Sequence, residues 1–270
     1  MSPVEPPPPP LAGASAALPV PGGRGAGPAA SARTAVVWEV LSAVLREADA
    51  AGTGLDVVDA GGGTGGFAVP LAKAGHRVTV VDPSPDSLAA LQRRAAEGGL
   101  DGRVTGLQGD LDDLPQLLAA GSVDLLLCHS VLEVVDEPAQ ALVAAAGVLR
   151  PGGRLSLLVA NRAAAVLARA LAGHPDEAAR VLTDPAGRWG AADGVRRRFD
   201  GDQLQALVAG AGLLVEQVHG VRVVADLVPS AVLDTEPRAA AALLSLERAL
   251  SERAPFRDVA TQLHLLARRP

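Results

Sequence analysis

Residues 57–84 read VVDAGGGTGGFAVPLAKAGHRVTVVDPS. Two apolar runs each end in an aspartate, and a glycine turn with a short helical stretch separates them. Asp59 precedes the turn; Asp82 lies 21 residues beyond Gly61. Glycines let a ligand approach the backbone with no Cβ in the way, and they permit the sharp bend such a loop needs. An acid at the end of the second run is placed to accept hydrogen bonds from ribose hydroxyls. Asp59 is suited to a cationic ligand, because a negative charge two residues before the loop would repel a pyrophosphate.

These residues need rigid elements to hold them. Apolar patterning predicts a helix from Ser31, with Val36, Val37, Val40, Leu41, Val44 and Leu45 on one face, ended by Gly52 to Gly54. Strands are predicted near 55–59, 77–82, 103–108, 123–128 and 153–160. Helices fall near 66–74, 85–97, 113–119 and 137–149. Nearly continuous apolar strands alternating with helices imply a parallel α/β sheet with both faces covered. After Asn161 come helices near 162–171 and 175–183 and a Gly/Asp/Arg-rich loop, 184–200. A helix in FDGDQLQALVAGAG, a strand in LLVEQVHGVRVV, a helix near 236–252 and a last strand in VATQLHLLARR complete the chain. The domain is expected to run from 31 to 270, with helical additions near 162–200 and 226–256.

Composition narrows the possibilities. The 270 residues carry a net charge of −6, which argues against a nonspecific polyanion coat, and no DNA partner is expected. Cys128 is the single cysteine, so no disulfide can form within the chain, and no zinc-ligand spacing is present. No apolar run approaches a membrane span. Residues 1–30 are rich in Pro, Gly and Ala and read as a disordered tail rather than a signal peptide. A cytoplasmic protein is expected.

The glycine turn alone fits two templates. Gly61, Gly63 and Gly66 form GxGxxG, the dinucleotide pattern; Gly61, Gly63 and Gly65 form GxGxG, which also suits S-adenosylmethionine. Three features separate them. Asp59 is one. GDLDDLP, after the third strand, sets Asp110, Asp112 and Asp113 at its carboxyl end. VDLLLCHSVLEVV is followed by a helix and LRPGGRL. Together these pieces resemble the class I S-adenosylmethionine-dependent methyltransferases over residues 31–270. The resemblance implies a doubly wound, seven-stranded, mostly parallel sheet of order 3-2-1-4-5-7-6, with S-adenosylmethionine as cofactor.

SARTAVVWEVL, DAGGGTGG, CHSVLEVVDEP, LRPGGRLSLLVAN and HGVRVVADLVP, in that order, look like the bacterial tRNA 5-carboxymethoxyuridine methyltransferases. Those enzymes esterify the carboxylate of a modified wobble uridine. By that resemblance Arg33 contacts the cofactor, Gly61 and Gly62 run along its methionine part, Asp82 holds its ribose, Leu111 and Asp112 meet its adenine, and His129 lies beside it; Gly63 of the same turn is a further cofactor-binding candidate. The chain departs from the pattern in lacking any tyrosine and in reading GRWGAADGVRRRFD before the late helix.

A carboxylate acceptor is already anionic near neutral pH, so it needs a cation more than a base. Arg222, Arg188 and the run Arg196, Arg197 and Arg198 are the candidates, with Trp189 and Phe199 for base stacking. The arginine loop is locally neutral, so a solvated loop competes with an RNA contact. His76 reads as structural, Cys128 as a small buried residue, and Asp136 as a helix cap, while Glu133 could face the acceptor. His174, His219 and His264 show no clustered partners in sequence. A small carboxylate metabolite stays open as the acceptor, as do a non-catalytic cofactor-binding role and a dinucleotide oxidoreductase.

Overall fold

The computed structural model describes residues 28–270 apart from 53 and 236, and most of the tail expected over 1–30 lies outside the described residues. Helix α1 (Pro28–Ala50) precedes β1 (Asp56–Ala60), α2 (Ala68–Lys73), β2 (Arg77–Asp82), α3 (Pro85–Glu97), β3 (Val104–Gln108) and α4 (Leu114–Leu117). Then come β4 (Val123–His129), α5 (Pro138–Val148), β5 (Leu149–Ala160), α6 (Arg162–Leu171) and α7 (Pro175–Thr183). The chain ends with α8 (Gly201–Gly210), β6 (Leu214–Val221), α9 (Ser230–Thr235), α10 (Pro237–Ser251) and β7 (Gln262–Arg268).

The strands form one sheet in the order β3-β2-β1-β4-β5-β7-β6. All neighbours pair in parallel except β7, which runs antiparallel to β5 and β6. This is the architecture that the family resemblance implies. The order reverses between β1 and β4, which opens a crevice at their carboxyl ends.

Both faces of the sheet are covered, which is why its central strands are apolar almost throughout. On one face Val57, Val80, Leu125 and Leu127 pack against Val37 and Leu41 of α1, Leu71 of α2 and Leu91 of α3. On the other, Val58, Leu126, Leu157 and Leu265 meet Leu114 of α4, Leu142 of α5 and Leu204 of α8. Helix starts are set locally. Ser84 caps α3 by accepting the Ser87 N–H at 3.2 Å, with Pro85 following, and Asp200 caps α8 through Gln203 N–H at 2.8 Å.

Several boundaries differ from the sequence expectation: α1 begins at Pro28, inside the stretch expected as a disordered tail, α9 is not among the helices expected, and two strands differ as well. β5 begins at Leu149, so the LRPGG turn belongs to the strand, and its register with β4 shifts between Val123 and Leu125. β6 stops at Val221, earlier than the apolar run suggests, because Arg222 turns into left-handed backbone with φ 62°. Among the described residues, no helix is long and apolar enough to cross a membrane.

Candidate active site

The glycine turn sits at the carboxyl end of β1. Gly61, Gly63 and Gly65 have φ of 71°, 54° and 83°, a region where a side chain is strained. Gly62 is constrained differently: a Cβ there would lie 2.5 Å from Asp59 Oδ2. Asp82 at the end of β2 ties the turn down. Its Oδ2 accepts the Gly63 N–H at 2.9 Å, and its Oδ1 accepts the Ser84 N–H at 2.9 Å.

Asp59 is 3% exposed, and its Oδ2 has no hydrogen-bond partner. Burial, reinforced by the Asp82 charge, pushes its pKa up to about 7. A buried acid without a donor is costly, so this carboxylate invites a cation.

Beyond the turn opens a cleft of about 490 Å³, lined by Gly61, Asp82, Leu111, Asp112, Ser130 and Arg196 among others. Leu111 is buried at its base. Asp112 is exposed, and its N–H is held by Asp110 Oδ1 at 3.0 Å. Slight burial and the neighbouring charges of Asp110, Asp113 and Asp136 raise the Asp112 pKa. Ser130 carries φ 58°, a second strained non-glycine residue, and its Oγ accepts from Gln262 of β7 at 3.3 Å.

His129 ends β4 and touches the edge of Phe67 at 4.7 Å, while Phe67 stacks on Trp38 of α1 at 4.8 Å. It is not isolated. Ser156 Oγ bridges His129 Nε2 at 2.9 Å and His264 Nε2 at 2.8 Å, and the His264 ring lies 5.7 Å from that of His219. Glu252 approaches His219 Nε2 at 3.3 Å. The expectation that His219 and His264 lack clustered partners is therefore corrected. Strands β4, β5, β7 and β6 are neighbours, so residues far apart in sequence form one buried polar row. Burial depresses all three imidazoles, with His129 pushed down to about 3.

Arg33 of α1 and Arg222, just past β6, meet at Asp226. Arg33 Nε lies 3.1 Å from Asp226 Oδ1 and Arg222 Nη2 lies 2.5 Å from Oδ2, which also accepts the Thr261 hydroxyl at 3.1 Å. The Arg222 Nε is buried without a partner.

The 184–200 loop is held from within. Arg198 and Asp193 form a buried bidentate pair at 2.7 and 3.0 Å. Arg197 donates to the carbonyls of Leu132, Val135 and Asp136. Arg196 donates to Val134 O at 3.0 Å and pairs with Asp136 at 3.3 Å. Asp136 thus receives arginines and is not the cap of α5, whose cap residue is Glu137. Arg188 donates to Gly190 O at 3.3 Å and keeps an unpartnered Nε. The Arg169 and Arg198 guanidiniums lie 4.6 and 4.5 Å from the Trp189 ring centre. Phe199 is fully buried in the core and is removed as a stacking candidate. Glu133 is buried rather than facing the cleft, and accepts the Ala160 N–H at 2.7 Å. His76, also buried, accepts the Leu55 N–H at 3.2 Å, and Cys128 is buried.

Comparison with known proteins connects this geometry to a family. Residues 58–157 match a methyltransferase domain model. The chain is 30% identical over 238 residues to the tRNA 5-carboxymethoxyuridine methyltransferase of Escherichia coli strain K12, covering 88% of each protein. The chain belongs to the class I S-adenosylmethionine-dependent methyltransferases. The ubiquinone biosynthesis O-methyltransferase of Xanthomonas axonopodis pv. citri is 33% identical, over 68% of this chain and 70% of its own. An S-adenosylmethionine-dependent methyltransferase structure from Mesorhizobium loti superposes with a TM-score of 0.56 at 23% identity, covering 86% of this chain and 97% of that one.

The cofactor of this methyltransferase is S-adenosylmethionine. The residues present fit it. The turn takes positive φ at Gly61, Gly63 and Gly65, and the Asp59 Oδ2 beside it has no hydrogen-bond partner, which suits a ligand that carries an ammonium group. The dinucleotide alternative lacks a comparable fit, because the buried acid beside the turn would repel a pyrophosphate.

Proposed function

We propose that this methyltransferase esterifies a carboxylate, that of 5-carboxymethoxyuridine in tRNA. The observation that carries the reading is Arg222. It is held at φ 62°, has a single carboxylate partner and keeps a buried Nε–H without an acceptor. Strained non-glycine backbone persists where surrounding structure enforces it, often at functional sites. An arginine with a free N–H matches the planar geometry of a carboxylate. The tRNA enzyme match also extends over 88% of the chain, against 68% for the quinone enzyme.

S-adenosylmethionine supplies an electrophilic methyl group on a sulfonium. The chain's residues bind and orient. Gly61, Gly62 and Gly63 line the methionine part, with Asp59 facing its ammonium and Arg33 at the entry helix. Asp82 accepts from the ribose, Leu111 and Asp112 flank the adenine, and His129 lies beside the methionine end. Arg222 holds the acceptor carboxylate, and positioning then does most of the work. No general base is required. A phenolic acceptor would require one, and His129, with its pKa near 3, is a poor base at neutral pH.

The base has a place in this reading. An apolar cavity of about 310 Å³ lies between α6 and the arginine loop, walled by Ala164, Ala165, Ala168, Trp189 and Val195, and it reaches Ala160 and Thr261 at the strand ends. Thr261 also bonds Asp226, the Arg222 partner. Trp189 walls this cavity, Arg188 lies on the adjoining cleft, and Arg196 borders the adenine side.

The test is transfer from methyl-labelled S-adenosylmethionine to tRNA bearing 5-carboxymethoxyuridine, followed by mild alkali. Alkali-labile label in the RNA is the expected result. Label found only in small carboxylic acids of a cell extract overturns the tRNA acceptor and keeps the carboxylate.

A further inference from the structure

Glu247 of α10 has no exposed surface, yet three consecutive backbone N–H groups converge on its carboxylate. Val223 donates to Oε2 at 3.0 Å, and Val224 and Ala225 donate to Oε1 at 2.7 and 2.6 Å. Successive amides turned to one side make an anion-binding concavity, and a buried carboxylate is tolerated only with such donors. The amides follow directly on Arg222, whose left-handed backbone ends β6 and turns the chain. The same turn closes at Asp226, the shared partner of Arg33, Arg222 and Thr261. Glu247 therefore grips the segment between the cation and its counter-ion. Its hydrogen-bond partners among the described residues are the three amides.

We propose that Glu247 is a positioning residue for methyl transfer that acts through Arg222. Its carboxylate sets the 222–226 turn, and the turn aims the guanidinium. The proposal rests on the reading of Arg222 as the group that holds the acceptor. A glutamate that only cemented α10 to the sheet would lower stability and leave the Arg222 side chain unchanged.

The experiment is a double-mutant cycle with E247Q and R222A. kcat and KM are measured for tRNA carrying 5-carboxymethoxyuridine, and arginine Nε–H signals are recorded on ¹⁵N-arginine protein. E247Q keeps the shape but sets an amide NH₂ against backbone donors. KM for the acceptor is expected to rise about tenfold, as for lost binding of an oriented charge. In the R222A background, E247Q is expected to change kcat/KM no further, which is the signature of two residues acting as one unit. The Arg222 Nε–H signal, identified by its loss in R222A, should shift or broaden in E247Q while that of Arg198 stays in place. Independent, multiplicative effects or an unmoved Arg222 signal overturn the proposal. If the wild type methylates no such tRNA, the acceptor reading has failed; a moved Arg222 signal still upholds the positioning and an unmoved one still rejects it. If E247Q does not fold, E247D, which withdraws the carboxylate by one methylene, passes through the same measurements.

Discussion

One carboxylate oxygen of Asp82 accepts the Gly63 N–H at 2.9 Å, so the acid that ends β2 is fastened to the loop that follows β1. The bond does two things. It holds the glycine turn in shape, and it leaves the carboxylate at the edge of the cleft, the place we propose for a ribose. Replacing Asp82 by alanine removes an acceptor from a charge-assisted hydrogen bond, a change of about 1.5–3 kcal/mol. S-adenosylhomocysteine should then bind about ten- to a hundredfold more weakly by calorimetry. Unchanged affinity would remove Asp82 from the site.

The raised pKa of Asp59 gives cofactor binding a pH signature. A folded-state pKa of about 7 means the free protein carries a proton there below neutrality. Binding a cation favours the ionised form, so the proton must leave. Affinity for S-adenosylmethionine should rise about tenfold per pH unit up to pH 7 and level off above it. Calorimetry in buffers of different ionisation enthalpy should detect proton release at pH 6 and little at pH 8. D59N should bind more weakly and with no such slope.

The buried histidine row makes the fold acid-sensitive. His129, His219 and His264 have depressed folded-state pKa values, while an unfolded imidazole titrates near 6.5. At these imidazoles the unfolded chain binds more protons below that pH, so their contribution to stability falls as pH falls and is fully present above about 7, while Asp59, whose pKa is raised, contributes in the opposite sense. Each imidazole contributes up to about 1.4 kcal/mol per pH unit. Urea denaturation at pH 7.5, 6.0 and 5.0 would measure the slope, and H264N should reduce it by about one proton's share. An unchanged slope in H264N would contradict the buried neutrality of that ring.

Arg222 sets function against stability. Left-handed backbone costs a non-glycine residue roughly 1–2 kcal/mol. Arg222→Gly relieves that strain and gives up the ion pair with Asp226, which is partly exposed and worth about 1 kcal/mol or less. Its unfolding midpoint should therefore match or exceed the wild type, while kcat/KM on the acceptor falls more than tenfold. A variant that loses stability and keeps activity would place Arg222 among structural residues.

Much of the site was legible because it is local. The glycine turn, the acid before it and the acid after it occupy one strand–turn–helix–strand unit, and spacing alone brings them together. The arginine loop shows the opposite case. In sequence, Arg196, Arg197 and Arg198 form a basic run; in the fold, Arg198 is spent on Asp193, Arg197 on three carbonyls and Arg196 on Asp136. Glu247 left no sequence signal, since its partners are 22–24 residues away and are backbone groups. The histidine row had a faint one, as His264 falls on the period-two face of β7 with Leu266, but only strand order reveals its neighbours.

The amino-acid sequence by itself determined the alternation of strand and helix, the ligand-cradling turn and the acids that frame it. Those depend on apolar period, backbone freedom and short spacing, which act between near neighbours in the chain. Tertiary structure alone decided which charges are already paired, which histidines are buried together and which arginines keep an N–H without an acceptor. Those properties depend on distance and burial between groups up to 209 residues apart, as in the Arg248–Glu39 pair, and no local pattern encodes them.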